Sequence, residues 1–400
     1  MISVPKAKNI ILKNTILLEK EIVSFSKVSG RVLAEDIKFT VDWPPFSRST
    51  MDGFAVRSKD LRTASAKKPA ALNIVDISKA GTPAKKKLCV NQAIKIMTGA
   101  VIPQGADSVV MKEYTKEKNG KVFVLQRSLR GDNLRNKGAD ARKGQVAVLR
   151  GRKITPGVLA ALASFGKTKI KVYQKPRVAI LATGSELLKI HQKLKAGKIH
   201  SANEHALASL VEEAGGMPYI LGIVKDNLKD LEKEIKKGLK YDIFLISGGV
   251  SVGDYDLVLP ALNNLSIKKH FWRVAIKPGK PLFFGKKGKC HIFGLPGNTV
   301  SSMVSFYQFV CPCLLKMSGQ RDPLLKTTKA ILAHDIVVEL KRHKVMRGVI
   351  FSKNNKKFVR LASHQISENV LSVAQANCLF EIKEGITRLK KGSLITAQYI

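Results

Sequence analysis

The sequence predicts a multi-domain α/β protein: a central doubly wound parallel sheet, a β-rich second domain and a small C-terminal β-barrel or sandwich. Three observations carry this. A length of 400 residues, at about 150 per domain, asks for two or three domains, each able to bury its own core. From about residue 173 to 325, apolar runs of five or six residues alternate with helical stretches. Before and after that region, short β-rich runs alternate with Gly, Pro and Asn turns. With 44% hydrophobic and 25% charged residues, disorder is disfavoured.

The elements follow in chain order. Spaced apolar residues (Ile10, Ile11, Ile16, Leu17, Leu18, Ile22, Val23) predict a helix to about Leu18 and then a strand. Trp43-Pro44-Pro45-Phe46 stops regular structure, because each proline removes an amide donor and fixes the backbone, so a boundary falls near 43. Strands are expected at Asn73 to Ile77, Ala93 to Met97, Ser108 to Lys112 and Lys121 to Gln126. Thr155 caps a helix that has Pro156 at its first position and stops at Gly166. In the central region, strands at Val178 to Ala182, Ile220 to Val224, Ile243 to Ser247 and His291 to Leu295 alternate with helices at Glu204 to Ala214 and Leu228 to Leu239. Strand-like segments return at Ile331 to Leu340, Val345 to Ser352, Lys357 to Leu361 and Leu379 to Ile382.

The 70 Lys+Arg against 30 Asp+Glu leave a net charge of +40. Lysine dominates, is spread through every segment and is interleaved with few aromatics, at 6% of the chain. A nucleic-acid module concentrates its charge, adds arginine and provides stacking rings. The pattern fits a solvated lysine surface with only non-specific, salt-sensitive adhesion to polyanions. Five scattered cysteines read as reduced thiols, and Cys311-Pro-Cys313 lacks the spacer of a zinc or redox knuckle. No apolar run reaches the ~20 residues of a membrane helix, since serines, Gln308 and Pro312 interrupt Val300 to Leu315; no membrane partner and a cytoplasmic location are expected.

Three central strands end in glycine turns: Thr183-Gly184-Ser185-Glu186, Ser247-Gly248-Gly249-Val-Ser251-Val-Gly253-Asp254 and Leu295-Pro296-Gly297-Asn298. Ligands of open parallel sheets bind outside the carboxyl ends of the strands, and glycines there let backbone amides approach an anion. A helix starting near Thr299 adds its amino end. A phosphate-bearing ligand is the leading reading, against ordinary strand-to-helix turns. Glu186, Asp226, Asp254 and Asp256 stand beside these turns, where carboxylates either hold Mg²⁺ and orient water or merely cap turns. Arg273, Lys277 and Lys280 either offset an anionic substrate or form a solvated strand end.

In their order, the runs Ser49-Thr-Met-Asp-Gly-Phe-Ala-Val56, Lys95-Ile-Met-Thr-Gly-Ala100, Leu181-Ala-Thr-Gly-Ser-Glu-Leu187, Ser247 to Asp254, Val274-Ala-Ile-Lys-Pro-Gly-Lys-Pro281 and Gly294-Leu-Pro-Gly-Asn298 resemble those of the molybdopterin molybdenumtransferases, the family that includes the gephyrin E-domain. The resemblance spans nearly the whole chain. It implies an elongated homodimer of four-domain subunits: a split N-terminal domain of 1–43 and 142–172, a β-rich domain of 44–141, a central molybdopterin-binding domain of 173–325 and a β-barrel of 326–400. It also implies the reaction, in which molybdate enters adenylylated molybdopterin, the pyrophosphate link is hydrolysed and AMP leaves. By that resemblance Asp256, Glu186, Asp226 and Asp52 are catalytic, with Asp256 and Glu186 as Mg²⁺ ligands. Thr98, Asp140, Thr183, Gly184, Gly248, Gly249, Ser251, Arg273, Lys277, Lys280, Pro296 and Arg347 bind substrate. A molybdopterin adenylyltransferase is a further expected partner. Thr299 stands where the family run has proline, and Ile366 where it often has glycine, so no site residue is carried over from 366–376. The competing classes are a basic scaffold or nucleic-acid-binding protein on the same fold, and a related nucleotide pyrophosphatase.

Overall fold

A computed structural model describes residues 1–251, 253, 256–338 and 343–400. Asp254 and the end of the segment expected to be a strand at 331–340 lie outside the described residues. The chain forms two compact units, one of Met1–Glu35 with Arg150–Ile400, the other of Asp36–Leu149.

Within the first unit, the central sheet follows from side-chain alternation. In β1 (Arg177–Thr183), Val178 and Ile180 enter one hydrophobic cluster while Ala179 and Leu181 enter another. With β2 (Met217–Val224) at the edge, β3 (Ile243–Ser247) repeats this division: Ile243 and Leu245 face one layer, Phe244 and Ile246 the other. Strands buried on both faces read as continuous apolar runs for this reason. Adding β4 (Lys268–Trp272), β5 (Phe283–Lys287) and β6 (Cys290–Leu295), the order across the sheet is β2-β1-β3-β6-β5-β4. The first four strands are parallel, as expected of a doubly wound sheet, whereas β5 pairs antiparallel with β6, and β4 antiparallel with β5, at the far edge. The cause is local. Lys287 pairs with Cys290 across a turn containing Gly288 at φ 56°, and so tight a connection permits only a hairpin.

One face is covered by α1 (Asn203–Glu213), through Leu207, Leu210 and Val211, and by the N-terminal helix Val4–Asn14. The other is covered by α2 (Leu228–Gly238) and α3 (Val258–Asn264), through Leu231, Ile235, Ala261 and Leu262. After β6 the chain enters α4 (Thr299–Ser305), which continues through a π-helical turn and a second α segment to Met317. This 19-residue helix has the length and composition of a membrane span, but 78% of its apolar window is buried in the protein, so it serves as a core helix. The N-terminal helix ends at Asn14, four residues before the expected Leu18. The side chains of Asn14 and Thr15 take the carbonyls of Ile10 and Ile11, each at 2.8 Å, in place of a further turn. Thr155 precedes the helix Pro156–Ser164 but makes no side-chain cap; proline alone starts that helix.

Strands Thr327–Leu332, His343–Lys353, Lys356–Leu361, Cys378–Ile382 and Leu394–Tyr399 close on themselves as a five-stranded barrel, which leaves no sheet edge. Lys20–Ser24 pairs antiparallel with Lys169–Tyr173, joining the chain start to the segment that returns after the second unit. The second unit is built on a six-stranded sheet that includes Gly53–Val56, Gln92–Ile96 and Ala70–Ser78.

Candidate functional site

The carboxyl ends of β1, β3 and β6 open into one cleft of about 700 Å³ in the first unit. The Thr183, Gly248 and Pro296 turns all line it, with Glu186, Asp226, Ser251, Asp256, Lys277 and Lys280. The glycines are there for contact and conformation. Gly248 sits at φ 99°, and a Cβ on it would lie 2.4 Å from the Thr183 carbonyl oxygen. Its N–H donates to the Leu295 carbonyl at 3.0 Å, so the β3 turn is tied to the end of β6.

Asp226 is largely occupied in holding the β1 turn. Its carboxylate accepts from the Thr183 hydroxyl at 3.2 Å and the Ser185 N–H at 2.8 Å, while its own N–H donates to Ser185 Oγ at 3.2 Å. Asp256 Oδ2 accepts the Gly253 N–H at 2.6 Å. The Glu186 carboxylate folds over Gly184, where a Cβ would come within 2.6 Å of it. Lys198 Nζ donates to the Ser185 carbonyl at 2.7 Å and braces the same turn from the neighbouring loop. On the opposite wall, Gly279 separates Pro278 from Lys280, with its own φ at 106° and the Ser305 hydroxyl 2.7 Å from where a Cβ would sit.

Two expected pocket cations stand elsewhere. Arg273, at φ 70°, stacks its guanidinium 4.1 Å from the Trp272 ring centroid and does not line the cleft. Arg347 is 1% exposed on a barrel strand, where its Nε donates to Ser372 Oγ and its Nη2 to the Ile366 carbonyl, both at 3.2 Å. Burial pushes its pKa down to about 10. Asp52, Thr98 and Asp140 belong to the second unit. Asp52 accepts the Thr98 N–H at 2.6 Å and its hydroxyl at 2.8 Å, and these bonds hold its carboxyl below the usual range. Asp140 is ion-paired with Arg135.

Sequence reasoning missed several lining residues, among them Ser201, Asn203 and Ser367. Asn203 opens α1, and its amide donates to Ser247 Oγ at 2.7 Å and to the Gly297 carbonyl at 2.6 Å. Its one signal in the sequence was a polar Ser201-Ala-Asn203 run at a helix start, which reads as a cap. Ser367 comes from the segment between barrel strands, where the next residue, Glu368, accepts from the Asn298 side chain at 3.1 Å.

Comparison with known proteins divides the chain into three matched regions. Residues 2–166 match the MoeA N-terminal region (domain I and II), 179–316 a probable molybdopterin binding domain, and 329–399 the MoeA C-terminal region (domain IV). A molybdopterin molybdenumtransferase of Nostoc sp. is 36% identical over 380 residues, covering 94% of this chain and 87% of the relative. One of Bacillus subtilis is 36% identical over 382 residues, covering 94% and 89%. The solved structure of a molybdopterin biosynthesis moeA protein from Pyrococcus horikoshii OT3 superposes with a TM-score of 0.86 at 31% identity, covering 100% of both chains.

Proposed function

The chain belongs to the molybdopterin molybdenumtransferase family, and we propose that its cleft inserts molybdate into adenylylated molybdopterin, with hydrolysis of the pyrophosphate link and release of AMP. The observation that carries this reading is the convergence of three glycine turns and two lysines, Lys277 and Lys280, on one cleft at the carboxyl ends of parallel strands. Backbone N–H groups held in such turns bind phosphate oxygens without reorganising, and the lysines offset the negative charge that otherwise repels an attacking water. Asp226 keeps the Thr183–Ser185 turn in shape through three hydrogen bonds. Asp256 orients the water, whose oxygen bonds to phosphorus as the bridging P–O bond breaks; the bridging oxygen leaves on the other phosphate, and the proton the water loses passes to solvent.

The donor set suits Mg²⁺, which takes one or two carboxylates and keeps several waters. Among the described residues the Glu186 carboxylate accepts no hydrogen bond, and the Gly253 bond engages only Oδ2 of Asp256. These two carboxylates would hold the ion, which when bound would neutralise phosphate charge. A homodimer, a molybdopterin adenylyltransferase as a further partner and a cytoplasmic location complete the proposal. The dimer is supported by the family resemblance, and the location by five free thiols, four of them buried. Sedimentation at twice the 43.9 kDa chain mass is the expected sign of the dimer.

The reading as a basic scaffold is disfavoured, because a polyanion-binding surface has no use for Glu186, Asp226 and Asp256 in one cleft. The test is chromatographic: purified protein with adenylylated molybdopterin and Mg²⁺ should release AMP when molybdate is added. No release above buffer hydrolysis would overturn the reading. Equal release without molybdate would favour the pyrophosphatase. Asp256→Asn should lose turnover while keeping its fold.

A further inference from the structure

We propose that Asn203 is a positioning residue, which turns the backbone N–H groups of the Pro296–Asn298 turn toward the anionic group of the substrate; this rests on the reading of the cleft given above. Asn203 is 9% exposed and begins α1, yet its side-chain bonds go to two other elements. One amide nitrogen donates to Ser247 Oγ, at the end of β3, and to the Gly297 carbonyl, after β6. The carbonyl has no proton to give, so it fixes which end of the amide faces it. Ser247 Oγ in turn donates to the Pro296 carbonyl at 3.4 Å. Two successive carbonyls, those of Pro296 and Gly297, are therefore drawn to one side.

A trans peptide is planar, with its C=O and N–H pointing in opposite directions. Drawing in those two carbonyls turns the N–H groups of Gly297 and Asn298 the other way. Both residues line the cleft, and neither N–H donates to another described residue. Two unused amide donors in succession are what an oxyanion requires.

The acceptor end of Asn203 shows what this arrangement costs. Its Oδ1 is buried without a hydrogen-bond partner among the described residues. An asparagine kept for stability would satisfy both ends, whereas this one serves its donor end and leaves its acceptor desolvated. An apolar residue of similar size should thus keep the fold and lose the alignment.

The test compares wild type with Asn203→Leu, and with Asn203→Ser, whose side chain is too short to reach the Gly297 carbonyl. AMP is the probe, its affinity is read by titration calorimetry, and stability is read by thermal unfolding. The expected result is AMP binding weakened about 10-fold or more, with a melting temperature equal to or above that of wild type. Wild-type affinity in both variants would overturn the proposal. Affinity and melting temperature falling together in both would also overturn it, because the residue would then be merely structural. If the wild-type protein itself binds no AMP, the reading of the cleft and this proposal fail together. Failure in the variants alone leaves that reading standing.

Discussion

Alanine at Gly248 is the sharpest perturbation of the cleft. At φ 99°, an L side chain is strained by about 1–2 kcal/mol. The added Cβ would also lie 2.4 Å from the Thr183 carbonyl oxygen and 3.3 Å from Thr183 Cγ2. Thr183 ends a strand buried on both faces, so it cannot retreat, and the turn must move by roughly 1 Å, with an overpacking cost of about 1–3 kcal/mol. Together these come to about 2–5 kcal/mol, less than the roughly 5–15 kcal/mol by which a domain is stable. A displacement of that size in the donors facing the phosphate should lower kcat/KM about 100-fold. Gly157→Ala is the internal control. Gly157 lies in the helix Pro156–Ser164, outside the cleft, has no positive φ, and a Cβ on it would meet no atom within 4 Å. It should stay within about threefold of wild type in the AMP-release assay. Wild-type kcat/KM in Gly248→Ala, or equal losses in both variants, would refute the assignment of the β3 turn to substrate binding.

Other outcomes follow from groups outside the cleft. Arg347→Met removes a buried cation whose bonds go to a hydroxyl and a carbonyl, so stability should change by about 2 kcal/mol or less. The segment carrying Ser367 would lose one of its ties to the barrel, the bond to the Ile366 carbonyl, and KM should rise; an unchanged KM, with thermal unfolding as the control, contradicts that. Glu381 has its carboxyl held below the usual range, first by His343 at 3.0 Å and then, against the opposing effect of burial, by Lys8. A lowered folded pKa gives stability that is present above the unfolded value of about 4.5 and lost as pH falls through the folded one. Glu381→Gln should therefore be less stable at pH 7 and show a shallower acid limb below about pH 4.5; an unchanged slope in pH-dependent unfolding refutes the linkage. Burial pushes Cys290, Cys311 and Cys313 up to about 12 and Cys378 to about 11, whereas Cys89 is exposed. A thiol reagent at pH 8 should label one cysteine in the native protein and five after unfolding.

The central strands were legible because burial on both faces writes them as apolar runs: Ile243–Ser247 has the expected bounds, and Val178 to Ala182 falls inside its strand. The hairpin of β5 and β6 and the antiparallel pairing of β4 were not legible. Phe283–Lys287 ends in lysines that resemble surface loop, and the direction of a strand is set by its turn. Glycine turns identified the cleft, since each interrupts an apolar run at a fixed place. The cations were harder to place. Arg273 and Arg347 have the right charge, but stacking on Trp272 and burial in the barrel occupy them, and neither interaction leaves a periodic trace in the sequence. Asn203 escaped notice because its role depends on Ser247 and Gly297, 44 and 94 residues away.

The central claim, that the cleft couples hydrolysis to metal insertion, is tested most directly by stoichiometry. Molybdenum incorporated into the pterin product and AMP released should be measured in the same reaction, by elemental analysis and chromatography. One molybdenum per AMP, with both absent in Asp256→Asn, is the expected result. AMP released without matching molybdenum, or at the wild-type rate in Asp256→Asn, would contradict it.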